Sequence, residues 1–235
     1  MHYVFDVDGT LTPSRGIMDP DFKSWFQKFV DHYPVSFVTG SDLAKTQEQV
    51  GTDLVDAVEY SFNCSGNAVY QHGALIYSND WTLPNDLRLF LQNHLDNVSP
   101  YSHRYGQHFE QRIGMLNFSV VGRGAQGEQR TDYYHWDQTN RERAYLVNEI
   151  NHGWPELQAA AGGETGIDIF PRGLDKAQVL DRLSGDVCFF GDRIDPEGND
   201  WGLAQRILAE KRGQCYNVND WKDTWTQLRI ICPDA

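Results

Sequence analysis

The sequence predicts an α/β protein: a doubly wound parallel sheet over residues 1–81 and 172–235, interrupted by an inserted α+β domain over residues 82–171. Three observations point there. Short apolar runs that end in small polar residues alternate with amphipathic helical stretches at the start of the chain, the order that builds a parallel sheet with helices on its faces. The middle instead alternates apolar and polar residues with the period of two that marks half-buried strands. After Gly173 the first pattern resumes.

In order, Tyr3-Val4-Phe5 is a short β-prone run, stopped by the polar string DVDGTLT from Asp6 to Thr12. Phe22, Trp25, Phe26, Phe29 and Val30 then mark one face of a helix, which Pro34 ends. Val35 to Val38 is a second strand, closed by Thr39-Gly40-Ser41; a helix follows near Asp42, with Ser41 as its expected cap. In the middle, Leu87, Phe90, Leu91 and Leu95 give one helical stretch. Gly114 to Val121 reads as a strand with Leu116, Phe118 and Val120 on one face, and Gly166 to Phe170 as another, with Ile167 and Ile169 opposite Asp168. The aromatic run Tyr133-Tyr134-His135-Trp136 is expected in a strand or at an interface. A short helix from Asp175 and the strand Val187 to Phe190, ending at Gly191-Asp192, close the pattern. Cys188 is expected in the core, and Trp221 and Trp225, four apart, on one packed helix face.

Composition narrows the function. Apolar residues make up 40% of the 235 and charged residues 23%, as in a folded domain rather than a disordered one. Twenty basic residues against 33 acidic ones give a net charge of −13, which excludes broad electrostatic adhesion to nucleic acid or to an anionic membrane. No apolar run approaches the ~20 residues of a membrane helix. A carboxylate as early as Asp6 predicts no secretory leader. The four scattered cysteines predict a reduced, cytoplasmic setting without a cysteine zinc site. His72, His103, His108 and His152 fall into no metal-binding spacing.

The chemistry gathers at strand ends, where open α/β sheets bind ligands. Asp6 and Asp8 follow the first strand, Thr39 and Ser41 the second, and Asp192 the strand at 187–190, while Lys176 opens a helix. Converging carboxylates repel one another; a hard divalent cation relieves the repulsion, and oxygen ligands suit magnesium. Two carboxylates separated by one residue can divide the labour, one attacking phosphorus and the other moving the proton.

Together with the Gly191-Asp192 to Asn199-Asp200 loop, these residues resemble the four signature motifs of the haloacid dehalogenase superfamily of phosphotransferases. The strings DVDGTLTPSR, GSDLAKTQEQVG, RIGMLNFSVVGR, DIFPRGLDK and FFGDRIDPEGND are similar to the eukaryotic-type phosphomannomutase family over most of the chain. The resemblance implies a haloacid-dehalogenase-like Rossmannoid core with a cap domain. It implies Asp6 as nucleophile, Asp8 as acid/base, Thr39 or Ser41 as the phosphate-holding hydroxyl, and Lys176 as the motif lysine. Arg112, Arg123 and Arg130 match cap arginines that bind the sugar phosphate distal to the nucleophile, Arg15 matches a substrate-binding arginine, and Asp168 a carboxylate on sugar hydroxyls. The implied cofactor is Mg2+, held by Asp6, Asp192 and the backbone carbonyl of Asp8, with Asp200 behind them or beside Lys176. A hexose 1,6-bisphosphate would serve as activator, and homodimers would form through the cap. Guanidinium groups bind phosphate bidentately, so three together make an anion site on an acidic protein.

The chain departs from that family in three places. Thr39-Gly40-Ser41 stands where the family has Gly-Gly-Ser, Gly166 stands where a serine contacts the sugar, and Trp-Gly-Leu-Ala-Gln-Arg follows Asp200. The arginine set makes the leading expectation a phosphomutase that interconverts hexose 6-phosphate and hexose 1-phosphate, mannose foremost, through an aspartyl-phosphate. The alternatives are a sugar-phosphate phosphatase and a non-catalytic sugar-phosphate-binding protein.

Overall fold

The structure is a computed structural model that describes residues 1–196 and 198–233. It divides into two compact units, Met1–Asn79 with Leu174–Ala235, and Asp80–Gly173.

The first unit is built on a sheet with the order β11-β10-β1-β2-β3-β4-β5. Its parallel part comprises β1 (His2–Phe5), β2 (Val35–Val38), β3 (Tyr60–Asn63), β10 (Val187–Gly191) and β11 (Gly213–Asn217). The antiparallel strands β4 (Ala68–Gln71) and β5 (Ala74–Ser78) extend it at one edge. β1, β2 and β10 are buried along their whole length, as strands covered on both faces must be, which is why they read as continuous apolar runs. The chain winds outward from β1 through β2 to β3, then returns to the other side of β1 as β10 and β11. The winding therefore reverses between β1 and β10, and such a switch point leaves a crevice beyond the strand ends.

Helix α1 (Pro20–His32) starts where Asp19 accepts hydrogen bonds from the backbone N–H groups of Asp21 and Phe22, with Pro20 in its first turn. Its buried face is Phe22, Phe26, Phe29 and Val30. Phe22 stacks on Trp221 and Trp225 of the helix Trp221–Ile231 at centroid distances of 5.9 and 5.3 Å, as the four-residue tryptophan spacing requires. Each fully buried aromatic contributes roughly 1.5–3 kcal/mol. Cys188 lies in the same core. Helix α2 (Leu43–Val50) differs from expectation at its start. Its cap is Asp42, whose carboxylate accepts from the Lys45 N–H at 2.9 Å, not Ser41, whose hydroxyl turns to Asp8 instead. Helix α3 (Thr52–Ala57) follows. The chain then makes the β4–β5 hairpin through His72 and Gly73, both at positive φ (48° and 74°), the twist a two-residue hairpin turn demands.

The second unit begins with α4 (Asn85–Asn93), which bears Leu87 and Leu91. It then forms the antiparallel sheet β6-β7-β9-β8, from β6 (Phe109–Arg112), β7 (Met115–Phe118), β8 (Leu157–Gly162) and β9 (Gly166–Pro171). Between β7 and β8 lie α5 (Glu128–Asn140) and α6 (Glu142–Gly153). The aromatic run from Tyr133 to Trp136 is thus helical, not a strand. Tyr133 and Trp136, three apart, fall on one helix face and pack against Tyr101 at 4.9 and 5.0 Å. Leu116, Phe118, Ile167 and Ile169 face the core of this unit.

A buried ion pair ties the helices to the β8–β9 hairpin. Arg143 Nε donates to Asp137 Oδ2 at 2.7 Å, and its Nη1 donates to the carbonyls of Gly163 and Gly166 at 2.9 and 3.4 Å. Both side chains are almost wholly buried. Arg143→Met would leave Asp137 as an uncompensated buried charge, which costs about 3–5 kcal/mol. Urea unfolding of the variant should show that loss; a change below about 1 kcal/mol would mean that the pair does not hold the hairpin.

Candidate active site

Parallel pairing sets the site. The Asp6 N–H donates to the Phe190 carbonyl at 2.9 Å, so Asp6, one residue past β1, lies beside the end of β10 and hence near Asp192. Asp6 is 4% exposed, Lys176 1% and Asp200 not at all. Lys176 opens a short 3₁₀ helix (Lys176–Asp181) whose first turn is capped by the Asp175 carboxylate. Its ammonium donates to Asp6 Oδ1 at 2.6 Å and to Asp200 Oδ1 at 2.7 Å. The other Asp200 oxygen, Oδ2, accepts from the Arg193 N–H at 3.1 Å. Two glycines make room. A Cβ on Gly9, at φ +80°, would stand 2.3 Å from Asp192 Oδ2, and one on Gly191 would stand 2.6 Å from Asp200 Oδ2.

Asp6, Asp192 and Asp200 each offer an oxygen to a cluster whose members lie within 4.8 Å of one another. Three carboxylates against one ammonium leave a formal charge of minus two when all are ionised. Burial raises the Asp6 carboxyl well above the usual range, and Asp200 and Asp192 add to this while Lys176 opposes it. Asp192 is pushed up to about 7 by burial and by Asp200. Burial would strip the Lys176 proton, but Asp200 and Asp6 outweigh it and hold the ammonium charged. The set is all oxygen and doubly negative, which fits a hard divalent cation rather than a soft one.

Asp8 occupies a second position. Its Oδ1 accepts from the Arg15 N–H at 2.5 Å and from Gln49 Nε2 at 2.9 Å, and its Oδ2 from the Ser41 hydroxyl at 3.5 Å. Thr39, buried, accepts the Ser41 N–H on its hydroxyl at 3.1 Å. The structure therefore joins Asp6 with Lys176, Asp192 and Asp200, and Asp8 with Ser41 and the Arg15 backbone. Sequence reasoning missed Gln49. Its only signal was a polar residue, now 1% exposed, beside the buried Val50 of a short helix.

A second cluster belongs to the other unit. Antiparallel register places Glu110 opposite Asn117 and Asn117 opposite Asp168, a polar row on the sheet face away from Ile167 and Ile169. Asp168 is nonetheless buried, and its Oδ1 accepts from Asn117 Nδ2 at 2.6 Å. Asn117 also explains Gly166, since a Cβ there would come within 2.6 Å of Nδ2. Arg112, two residues from Glu110, shares the face. Burial is the main cause that lowers the Arg123 guanidinium from its usual value; Arg112 and Arg130 lower it further, while Glu110 and Asp168 oppose them. Arg112, Arg130, Glu110 and Asp168 thus all act electrostatically on Arg123.

Comparison with known proteins shows the family of the chain. Residues 22–233 match the model of the family described as eukaryotic phosphomannomutase. The chain is 32% identical to the phosphomannomutase of Saccharomyces cerevisiae over 94% of its own length and 90% of that protein. It is also 32% identical to human phosphomannomutase 1, over 97% and 90%. Among solved structures it superposes on a haloacid dehalogenase subclass IIB sugar phosphatase with a TM-score of 0.61 at 11% identity, covering 98% of both chains, a likeness of fold.

The Asp192 carboxyl gives a pH-dependent test. Its folded value, about 7, lies above the unfolded 3.8, so the folded state favours the protonated form and loses stability as pH rises through that window. Asp192→Asn is therefore expected to raise the urea midpoint of the cation-free protein at pH 8, and the gain should shrink towards pH 4. The same variant should lose the thermal stabilisation that magnesium chloride gives the unmodified protein. A lower midpoint at pH 8, or undiminished magnesium stabilisation, would remove Asp192 from the cation site.

Proposed function

This chain belongs to the eukaryotic phosphomannomutase family, and from that membership we propose that it interconverts hexose 6-phosphate and hexose 1-phosphate, mannose foremost, through a phosphoryl group carried on Asp6. The observation that carries the reading is the buried Asp6–Lys176–Asp200 arrangement at the switch point of the sheet. Lys176 engages Asp6 Oδ1, which orients the carboxylate and leaves Oδ2 outside that ion pair for attack on phosphorus.

The cycle balances as follows. A hexose 1,6-bisphosphate charges the enzyme: an Asp6 oxygen forms a bond to phosphorus as the sugar's P–O bond breaks, and Asp8 gives its proton to the leaving sugar oxygen. A hexose monophosphate then attacks phospho-Asp6 through its free hydroxyl. Asp8 takes the hydroxyl proton, a bisphosphate forms, and Asp6 is freed. The bisphosphate turns end for end, and the same steps run in reverse on its other phosphate. Asp8 is suited to this because Arg15, Gln49 and Ser41 fix both of its oxygens. The hydroxyl of Thr39 or Ser41 holds the phosphoryl oxygens, and the Arg15 side chain binds substrate.

The acidic cluster fits a divalent cation; Asp6, Asp192 and the Asp8 carbonyl would hold magnesium, Asp200 anchors Lys176, and the ion would supply neutralisation of phosphoryl charge. Arg112, Arg123 and Arg130 take the sugar phosphate that is not at Asp6, and Asp168 accepts from a sugar hydroxyl. The four scattered cysteines support a reduced, cytoplasmic setting for the reaction. No helix among the described residues is long and apolar enough to cross a membrane. The partners are sugar phosphates, neither nucleic acid nor a membrane, and a second copy of the chain docks through the inserted unit.

A phosphorus NMR time course with mannose 1-phosphate, magnesium and a trace of hexose 1,6-bisphosphate tests the reading. Mannose 6-phosphate is the expected product, and free phosphate alone would make the protein a hydrolase. Asp6→Asn should show neither, because an amide cannot form the acyl phosphate; wild-type rates in that variant would exclude Asp6 as nucleophile.

Loss of one charge-assisted contact to phosphate costs about 1.5–3 kcal/mol, roughly 10- to 150-fold. Truncation of Arg112, Arg123 or Arg130 to alanine should depress sugar-phosphate turnover by that factor and acetyl phosphate hydrolysis far less, since acetyl phosphate carries no second phosphate. Parallel loss of both activities in folded protein, or loss of neither, would dismiss these arginines as a phosphate site.

A further inference from the structure

The three arginines already hold anions, and those anions are carboxylates of the same unit. Arg112 donates to both oxygens of Glu110, Nε to Oε1 at 3.3 Å and Nη2 to Oε2 at 3.2 Å. Arg123 Nε pairs with Glu110 Oε2 as well. Arg130 is engaged by Glu164 Oε2 at 2.9 Å from Nη2 and 3.2 Å from Nε, and its Nη1 donates to the Thr165 hydroxyl at 3.4 Å. The arginine side chains are only 10%, 18% and 12% exposed, whereas the side chain of Glu110 is 26% exposed and that of Glu164 43%. The carboxylates thus lie on the solvent side of guanidinium groups that are themselves largely buried.

Glu110 is the central member, because one carboxylate bridges two arginines. Its place is set by the sheet. It heads the row Glu110, Asn117, Asp168, two residues before Arg112 on the same strand face. A carboxylate that takes two N–H groups from one guanidinium and a third from another presents the acceptor pattern of a phosphate.

We propose that Glu110 is a resident stand-in for the sugar phosphate, holding Arg112 and Arg123 while the site is empty and competing with the phosphate when the site is filled. The inference rests on the reading of Arg112, Arg123 and Arg130 as the site for the sugar's second phosphate. It supplies what that reaction needs. A bisphosphate must leave this site, turn and return by its other end in every cycle. Uncompensated arginines would grip a dianion and stall that exchange. A competing carboxylate lowers the net gain on binding and speeds release, so Glu110 trades affinity for turnover. It acts through the arginines and is a positioning residue.

The test is calorimetric titration of mannose 1-phosphate, with magnesium present, into protein that carries Asp6→Asn and cannot turn over. In that background Glu110→Gln keeps the shape and removes the charge. It is expected to bind on the order of 10-fold more tightly, the value of one displaced charge-assisted pair. Glu110→Ala should move in the same direction and serves if the glutamine variant does not fold; Glu110→Asp should stay near the parent. With Asp6 intact, Glu110→Gln should lower KM and kcat together, the signature of excess ground-state binding. Arg123→Ala separates the two readings. If it binds mannose 1-phosphate as well as the parent, the phosphate site itself falls. If it binds at least 10-fold more weakly while Glu110→Gln and Glu110→Ala bind no more tightly than the parent, the site stands and the stand-in is overturned, leaving Glu110 as a strut for the arginines.

Discussion

The first unit depends on one buried ammonium. Lys176 lies between Asp6 and Asp200 with 1% of its surface exposed, and a third carboxylate, Asp192, stands close by. Carboxylates so crowded and so dry would neutralise themselves by taking up protons. Lys176 opposes this at Asp6 without overcoming burial, and Asp192, which it does not touch, is pushed up to about 7. Much of the surrounding backbone serves that arrangement. Gly9 and Gly191 clear space for the carboxylates, the Arg193 N–H holds the far oxygen of Asp200, and the reversal of winding between β1 and β10 brings the two strand ends together. Three carboxylates outnumber the one ammonium, so the cluster is net negative when all are ionised.

The fold class and the strand-end residues were legible because buried parallel strands announce themselves as apolar runs and the chemistry sits immediately after them. β1, β2 and β10 all follow that rule, and Asp6, Thr39 and Asp192 follow the strands. What stayed hidden depended on partners distant in sequence. Gln49 reaches Asp8 across a separation of 41 residues, and nothing in a glutamine declares such a bond. Ser41 and Asp42 are both good caps, and the choice between them was made by Asp8, which draws the serine hydroxyl away. The β4–β5 hairpin turns through His72-Gly73, where the usual signal is Asn-Gly, so its strands went unread. Tyr133 to Trp136 resembled a strand because aromatics favour sheets, yet spacing three apart served equally well for a helix packed on Tyr101.

The second unit shows how a familiar motif can carry a local change. At Gly166, where the resemblance implies a serine, the Asn117 amide fills the space a Cβ would take and reaches Asp168 directly. The Asn117 Oδ1 atom is buried without a partner. A buried acceptor left open is costly, and its neighbour here is the Asp168 carboxylate.

The strict alternation of β6, β7 and β9 has a consequence for descent. Glu110, Asn117 and Asp168 point one way while Leu116, Phe118, Ile167 and Ile169 point the other. Replacements on the polar side leave the oily side untouched, so ligand preference can drift along a lineage at little risk to folding. Gain or loss of a single residue within one of these strands is another matter. It would rotate the whole segment by one pleat, bury the acids and expose the hydrocarbons at a stroke. Such a family can be expected to diversify here by exchange of letters, with strand lengths handed down intact.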